Sequence, residues 1–330
     1  MKYRAMIDSV GHYVPKKIVN NFDLEKKTDT NDEWIKTRTG MFERHYVDDT
    51  EAASDLAFKA TENAIYSSNT TTKQDIDMII VATVTSDHPF PATACILQKR
   101  LGLKDIPAFD ICAGCSGFIY ALDIAKQYIE NGIAKTILVV GVEILSQLIN
   151  WADRGTNILF GDGAGAAIIT RTPSNCISHI IDSKITADGT DWELLLQVAG
   201  GSRIPASPDS IRKNAHTIYM EGNKIFKLAV RAMSGVTAEV LKRNNVSTKD
   251  IDWVVPHQAN LRIIESVAEK LNIPMSRMIV TIDKFANTSS ASVPITISVA
   301  LKQNMIKRGD MVVLTAFGAG LTFGTVLLRY

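Results

Sequence analysis

The chain has 330 residues, of which 46% are hydrophobic and 22% charged, so it can bury a large core and is ordinary in composition for a folded domain pair. A net charge of +1 supplies no bulk field for nucleic acid or an anionic membrane. The apolar runs are too short for a bilayer span, the N-terminus lacks a signal-peptide pattern, and four cysteines are too few for a disulfide scaffold, so a cytoplasmic setting is expected.

In chain order, Leu56, Ala60 and Ala64 mark the apolar face of a first helix. The segment Thr72-Lys73-Gln74-Asp75-Ile76-Asp77-Met78-Ile79-Ile80 then runs into a buried strand. A second helical stretch closes on Leu101. A strand is expected at 108–111, a sharp turn through Gly114, a helix from Ser116 to Asn131 and a strand at 136–141. The same order returns in the second half. A helix with Leu228, Ala232, Val236 and Val240 on one face precedes Ser247-Thr248-Lys249-Asp250-Ile251-Asp252-Trp253-Val254-Val255. A helix then ends at Leu271, a strand is expected at 278–281, a turn at Asn287, a helix at 291–305 and a strand at 311–316. The offset of about 175 residues indicates two fused, duplicated α/β halves, residues 1–172 and 173–330, each built on a mostly parallel sheet covered on both faces. Residues 186–216 show no clear period and are expected to be a loop region above a site. The glycines of Phe160-Gly161-Asp162-Gly163-Ala164-Gly165 precede a strand and not a helix, so close strand packing is expected there in place of phosphate binding.

Cys115 lies in Asp110-Ile111-Cys112-Ala113-Gly114-Cys115-Ser116-Gly117-Phe118, at the turn from strand to helix. Free N–H groups and the helix dipole at that point are expected to favour a thiolate and to offer an oxyanion site. A merely buried structural cysteine is the plain alternative. A redox or zinc reading of Cys112-x-x-Cys115 lacks a second such pair or a histidine cluster. His257 follows the buried strand Val254-Val255-Pro256, at the sheet edge where functional groups collect. Asn287 occupies the second-half turn that mirrors the Cys115 turn, so pseudo-symmetry would bring the two together. Cysteine, histidine and asparagine could serve a papain-like hydrolase, against which the repeat topology speaks. They could also serve decarboxylative carbon–carbon bond formation, with neutral histidine and asparagine N–H groups donating to an enolate.

Four motifs in order, Gly114-Cys115-Ser116-Gly117-Phe118, Pro256-His257-Gln258-Ala259-Asn260-Leu261-Arg262, Asn287-Thr288-Ser289-Ser290-Ala291-Ser292 and Phe317-Gly318-Ala319-Gly320-Leu321-Thr322-Phe323-Gly324, resemble the β-ketoacyl-acyl-carrier-protein synthase III family. The resemblance runs from Val10-Gly11 to the C-terminus. It implies the thiolase fold, a duplicated five-layered αβαβα body. It implies an acyltransferase in which Cys115 accepts an acyl group, commonly acetyl, from acyl-CoA. His257 and Asn287 would promote decarboxylation of malonyl–acyl carrier protein, initiating type II fatty acid synthesis. It further implies Phe317 beside the thiol and the Cys115 and Ala319 N–H groups as an oxyanion hole. Trp34 would stack on the adenine of coenzyme A, with Arg154 on its other face and Arg38 at phosphate. Gln258, Arg262 and Lys227 would dock the carrier protein, and Phe90 would reach into a partner subunit's acyl pocket, which implies a homodimer. Coenzyme A enters as a thioester substrate, and no separate cofactor or metal is implied. Ala319, often glycine in relatives, keeps its backbone donor, whereas Phe323, often tryptophan, leaves the primer open: a specialised enzyme with another acyl primer and a cysteine thioesterase are the alternatives.

Overall fold

Residues 3–330 are described by the structure, a computed structural model. Among the described residues, thirteen strands form two main sheets and two small ribbons. The first sheet takes β1 (Tyr3–Tyr13), β4 (Met78–Ala82), β5 (Ala108–Ile111), β6 (Thr136–Ile144) and β7 (Asp162–Pro173) in the order β1-β7-β6-β4-β5. The second takes β8 (His179–Ala187), β11 (Trp253–Pro256), β12 (Met311–Gly318) and β13 (Thr322–Arg329) in the order β11-β12-β13-β8. One ribbon pairs β2 (Lys17–Asn20) with β3 (Glu43–Tyr46), the other β9 (Leu195–Gln197) with β10 (Ile218–Met220). Strands joined by crossover helices, β4 with β5 and with β6, and β11 with β12, pair in parallel. The long strands that follow directly, β7 and β13, return antiparallel.

Five layers result. Helices Ala53–Tyr66 and Thr93–Leu101 cover the outer face of the first sheet, and Gly222–Arg243 and Leu261–Leu271 the outer face of the second. Helices Gly117–Glu130 and Ser292–Lys302 lie between the sheets and touch both. Central position explains their composition: Phe118, Ile119, Leu122, Ala125 and Ile129 on one, and Val293, Ile295, Ile297 and Ala300 on the other, are buried. Strand β6 is buried at every position, as a strand covered on both faces must be. This is the thiolase fold.

The glycine-rich stretch is strand, as expected. A Cβ built on Gly165 would stand 2.6 Å from the Pro294 side chain and 2.8 Å from the Ile295 nitrogen, so glycine is what lets β7 pack this closely on the central helix Ser292–Lys302. Two sequence expectations change. Residues 278–281 form a single bridge, Val254 to Met278, in place of a strand, and then the short helix Ile282–Phe285. The physical reason is Gln258, whose side chain takes over the ladder: its amide donates to the Ile279 carbonyl at 3.2 Å and its oxygen accepts from Thr281 N–H at 2.9 Å. Residues 186–216 are not plain loop either. They hold the end of β8, a 3-10 segment at Gly189–Leu194, strand β9 and the helix Pro208–Arg212.

Candidate active site

Gly114–Ser116 forms one 3-10 turn that runs into the helix Gly117–Glu130, and Cys115 is its middle residue. Gly114 has φ +53°, the left-handed conformation that glycine adopts without a Cβ penalty. The turn is pressed against the end of β12. A Cβ on Gly318 would stand 2.4 Å from the Cys115 nitrogen, and one on Gly114 2.7 Å from the Ala319 nitrogen. Glycine at both places is therefore what lets the Cys115 and Ala319 backbones approach.

His257 follows β11, and its N–H donates to the Thr315 carbonyl of β12 at 2.8 Å. Its ring is 2% exposed, and Nδ1 lies 2.6 Å from Ser292 Oγ. Desolvation pulls its pKa down to about 3, so the imidazole is neutral at physiological pH. Asn287 is held by its backbone against the 159–161 segment: its N–H donates to Leu159 O at 2.9 Å, and Gly161 N–H donates to its carbonyl at 3.0 Å. Its side-chain Oδ1 accepts from Ser289 N–H at 2.8 Å. With the oxygen so engaged, the amide NH₂ is the end available to a ligand.

Cys115, His257, Asn287, Phe317 and Ala319 line one cavity of about 750 Å³. Trp34, Arg38, Lys227 and Arg262 line the same cavity, and the last three are exposed, which sets its mouth on that side. Arg154 and Arg38 place their guanidinium carbons 4.3 Å and 5.8 Å from the Trp34 ring centroid, and Arg154 also lies 3.6 Å from Asp29. Asn260 ties two sides of the mouth together: its Oδ1 caps Arg262 N–H and its Nδ2 donates to Arg38 O. Ribbon residues Leu195, Ile218 and Met220 complete a wall, so the 186–216 region does stand over the cavity.

Two sequence expectations differ from this geometry. Cys115 is not shifted toward thiolate: desolvation raises its pKa to about 12, opposed by a Ser289 hydrogen bond and reinforced by the charge of Glu143. Gln258 does not face a partner; it is 1% exposed and spends its amide on Pro256 O, Ile279 O and Thr281 N. Phe90 is 86% exposed and lies outside the cavity of its own chain.

Sequence reading also missed Ser289, Ser292 and Glu143. Glu143 is fully buried at the end of β6, in contact with the 289–290 turn, and its signal was a lone acid closing the apolar run Ile137-Leu138-Val139-Val140-Gly141-Val142. The two serines are legible only once Asn287 and His257 are neighbours.

Comparison with known proteins agrees with the arrangement. The family model for 3-oxoacyl-[acyl-carrier-protein] synthase III matches residues 109–189, and the model for its C-terminal part matches residues 241–330. The β-ketoacyl-[acyl-carrier-protein] synthase III of Caldanaerobacter subterraneus subsp. tengcongensis is 49% identical over 329 residues, covering 100% of this chain and 98% of that protein. The crystal structure of the 3-oxoacyl-[acyl-carrier-protein] synthase III of Aquifex aeolicus superposes with a TM-score of 0.91 at 45% identity, covering 99% of this chain and 100% of that one. A priming β-ketosynthase from the R1128 polyketide biosynthetic pathway reaches a TM-score of 0.91 at 30% identity, with 99% and 96% covered. With the fold, the motif order and full-length similarity in agreement, the chain belongs to the β-ketoacyl-[acyl-carrier-protein] synthase III family.

Proposed function

We propose that the protein condenses an acyl-CoA primer, acetyl-CoA first among candidates, with malonyl–acyl carrier protein, giving 3-oxoacyl–acyl carrier protein, CO₂ and CoA. The observation that carries this reading is one cavity shared by a thiol, a neutral imidazole and a carboxamide, opening past an arginine-flanked tryptophan. In the first half-reaction the Cys115 sulfur attacks the thioester carbonyl, and the Cys115 and Ala319 N–H groups receive the oxyanion. Adenine would insert between Trp34 and Arg154, with Arg38 meeting phosphate. In the second half-reaction malonyl loses CO₂ and the enolate oxygen needs donors. Ser292 Oγ accepts weakly from Gln258 N–H at 3.4 Å, which leaves its hydrogen for His257 Nδ1 and a proton on Nε2. Nε2–H and the Asn287 NH₂ would then be the two donors, and a neutral ring with its low pKa cannot compete as a base. Phe317 lines the same cavity as the thiol.

Lys227 and Arg262 are, with Arg38, exposed cations at the mouth and suit an acidic carrier protein. A homodimer is supported by the position of β5 at the edge of its sheet and by exposed Phe90, which would enter the partner's acyl pocket. The division at 172–173 is supported by the sheets, one drawn from residues 3–173 and the other from 179–329. All four cysteines are free, which suits a reducing cytoplasm.

Mass spectrometry after mixing with acetyl-CoA tests the reading: an acetyl adduct on wild type that disappears in Cys115→Ser is expected. An unmodified wild-type thiol would sink it. Free acid released without malonyl–carrier protein would instead indicate a thioesterase, and a panel of acyl-CoA donors then defines the primer.

A further inference from the structure

The condensation reading needs the Asn287 carboxamide at a fixed place in the second half-reaction, and the chain around it does not hold that place unaided. Ala286 sits at φ +52° and Ser289 at φ +47°, in the left-handed region that residues with a Cβ keep only where their surroundings impose it. We propose that Arg44 is the positioning residue for Asn287, acting through the cavity-wall segment 158–161. The proposal rests on the condensation reading.

Arg44 belongs to ribbon strand β3 and is 0% exposed. Its hydrogen bonds go to neutral acceptors. Nη1 donates to Asn21 Oδ1 at 2.7 Å and to Val19 O at 3.4 Å, and Nη2 donates to Ile158 O at 2.8 Å. A planar guanidinium fixes two such directions at once, which an ammonium on its flexible stem does not. Burial pulls its pKa down to about 10, so the group is charged at neutral pH. A buried cation is costly unless its hydrogen bonds are made, so the fork and its acceptors hold one another in register.

From Ile158 the path to Asn287 is short. Ile158, Leu159 and Phe160 line the cavity. Leu159 O accepts from Asn287 N–H at 2.9 Å, Gly161 N–H donates to Asn287 O at 3.0 Å, and Phe160 bridges to Asn287. Arg44 also backs this segment sterically: a Cβ on Gly161 would stand 3.2 Å from Arg44 Cβ and 2.6 Å from the Phe285 carbonyl oxygen. One glycine thus separates Arg44 from the residues that lead into Asn287.

On the other side, fully buried Asn21 carries the network outward. Its Nδ2 donates to Asp32 Oδ1 and to Met41 O, each at 2.9 Å. Asp32 opens the helix Asp32–Thr39, which bears Trp34 and Arg38. The guanidinium therefore ties the wall that holds Asn287 to the helix at the cavity mouth. Cys115 rests on other elements, the Gly114–Ser116 turn and the end of β12, so loss of the fork should fall on the second half-reaction.

The test uses the full-length enzyme and follows the half-reactions separately: acetyl-adduct formation at saturating acetyl-CoA, and CO₂ release from malonyl–carrier protein. Arg44→Met is expected to slow CO₂ release about a hundredfold, the cost of an ångström of misplacement, and Arg44→Lys about tenfold, with acetylation within about twofold of wild type in both. Arg44→Lys keeps the buried charge and carries the test should Arg44→Met fail to fold. In an Asn287→Ala background, Arg44→Lys is expected to cost about twofold or less in CO₂ release, because the group it positions is gone. A merely structural arginine would slow both half-reactions together and add its full cost in that background. Either of those results, or CO₂ release at the wild-type rate in Arg44→Lys, overturns the proposal. A wild type that takes up no acetyl group and releases no CO₂ removes the condensation reading, and the proposal with it.

Discussion

His257 and Glu143 are both buried, with opposite consequences for stability. The histidine's pKa falls from 6.5 to about 3, so below pH 6.5 the unfolded chain binds a proton that the folded chain refuses. Its contribution is therefore lost as pH falls through that window, by about 1.4 kcal/mol per pH unit. The carboxyl's pKa rises from 4.5 to about 7, so over that span the folded chain holds a proton that the unfolded chain releases, and stability falls as pH rises. The two oppose each other between pH 4.5 and 6.5. Wild type should lose stability relative to His257→Asn on acidification below pH 6.5, measured by urea unfolding at several pH values. A difference independent of pH would mean that the imidazole is not held neutral. For chemistry, His257→Ala and Asn287→Ala should still take up acetyl groups but release CO₂ from malonyl–carrier protein about 10²–10³-fold more slowly, the cost of one lost oxyanion donor. Carbon dioxide release at the wild-type rate would exclude them from that step.

At the scale of elements, two turns must touch for the cavity to have a floor. Strand β12 ends at Gly318, where any Cβ would meet backbone atoms of Cys115 and Ser116 rather than a flexible side chain. Gly318→Ala should therefore destabilise by about 1–3 kcal/mol, the usual cost of overpacking. It should also slow acylation, because relief has to come from moving the Cys115 turn. Thermal melting and the acetyl-adduct rate check the two parts; an unchanged adduct rate would show that the turn tolerates the shift. Alternation of strands and helices, the helix Gly117–Glu130 and the strands β4, β6 and β12 were all readable from hydrophobic spacing. The missing strand at 278–281 was not. Its residues carry strand-like composition, and what ends pairing there is a glutamine side chain from elsewhere in the chain.

For the molecule as a whole, exposed Lys227 and Arg262 at the cavity mouth should act on the carrier substrate alone. Charge reversal at both is expected to raise KM for malonyl–carrier protein, with a weakened salt dependence, and to leave acetylation from acetyl-CoA intact. Equal KM values would move the docking surface elsewhere. Sedimentation should give twice the 36.2 kDa chain mass. Phe90→Ala should alter primer preference although Phe90 lies outside its own chain's cavity. A monomer with unchanged primer preference would remove the proposed role of Phe90.

By itself the amino-acid order determined the duplicated α/β architecture, because burial periodicity is local. It also marked Cys115 and His257, each just past a strand, and Asn287 through its place in the second-half turn that mirrors the Cys115 turn. Only tertiary structure decided the sign of the Cys115 shift, the burial of Gln258 and the partnership of Ser289 with Glu143. Desolvation and hydrogen bonding depend on which distant segments close over a group. No spacing along the chain records that residues 143 and 289 share a hydrogen bond.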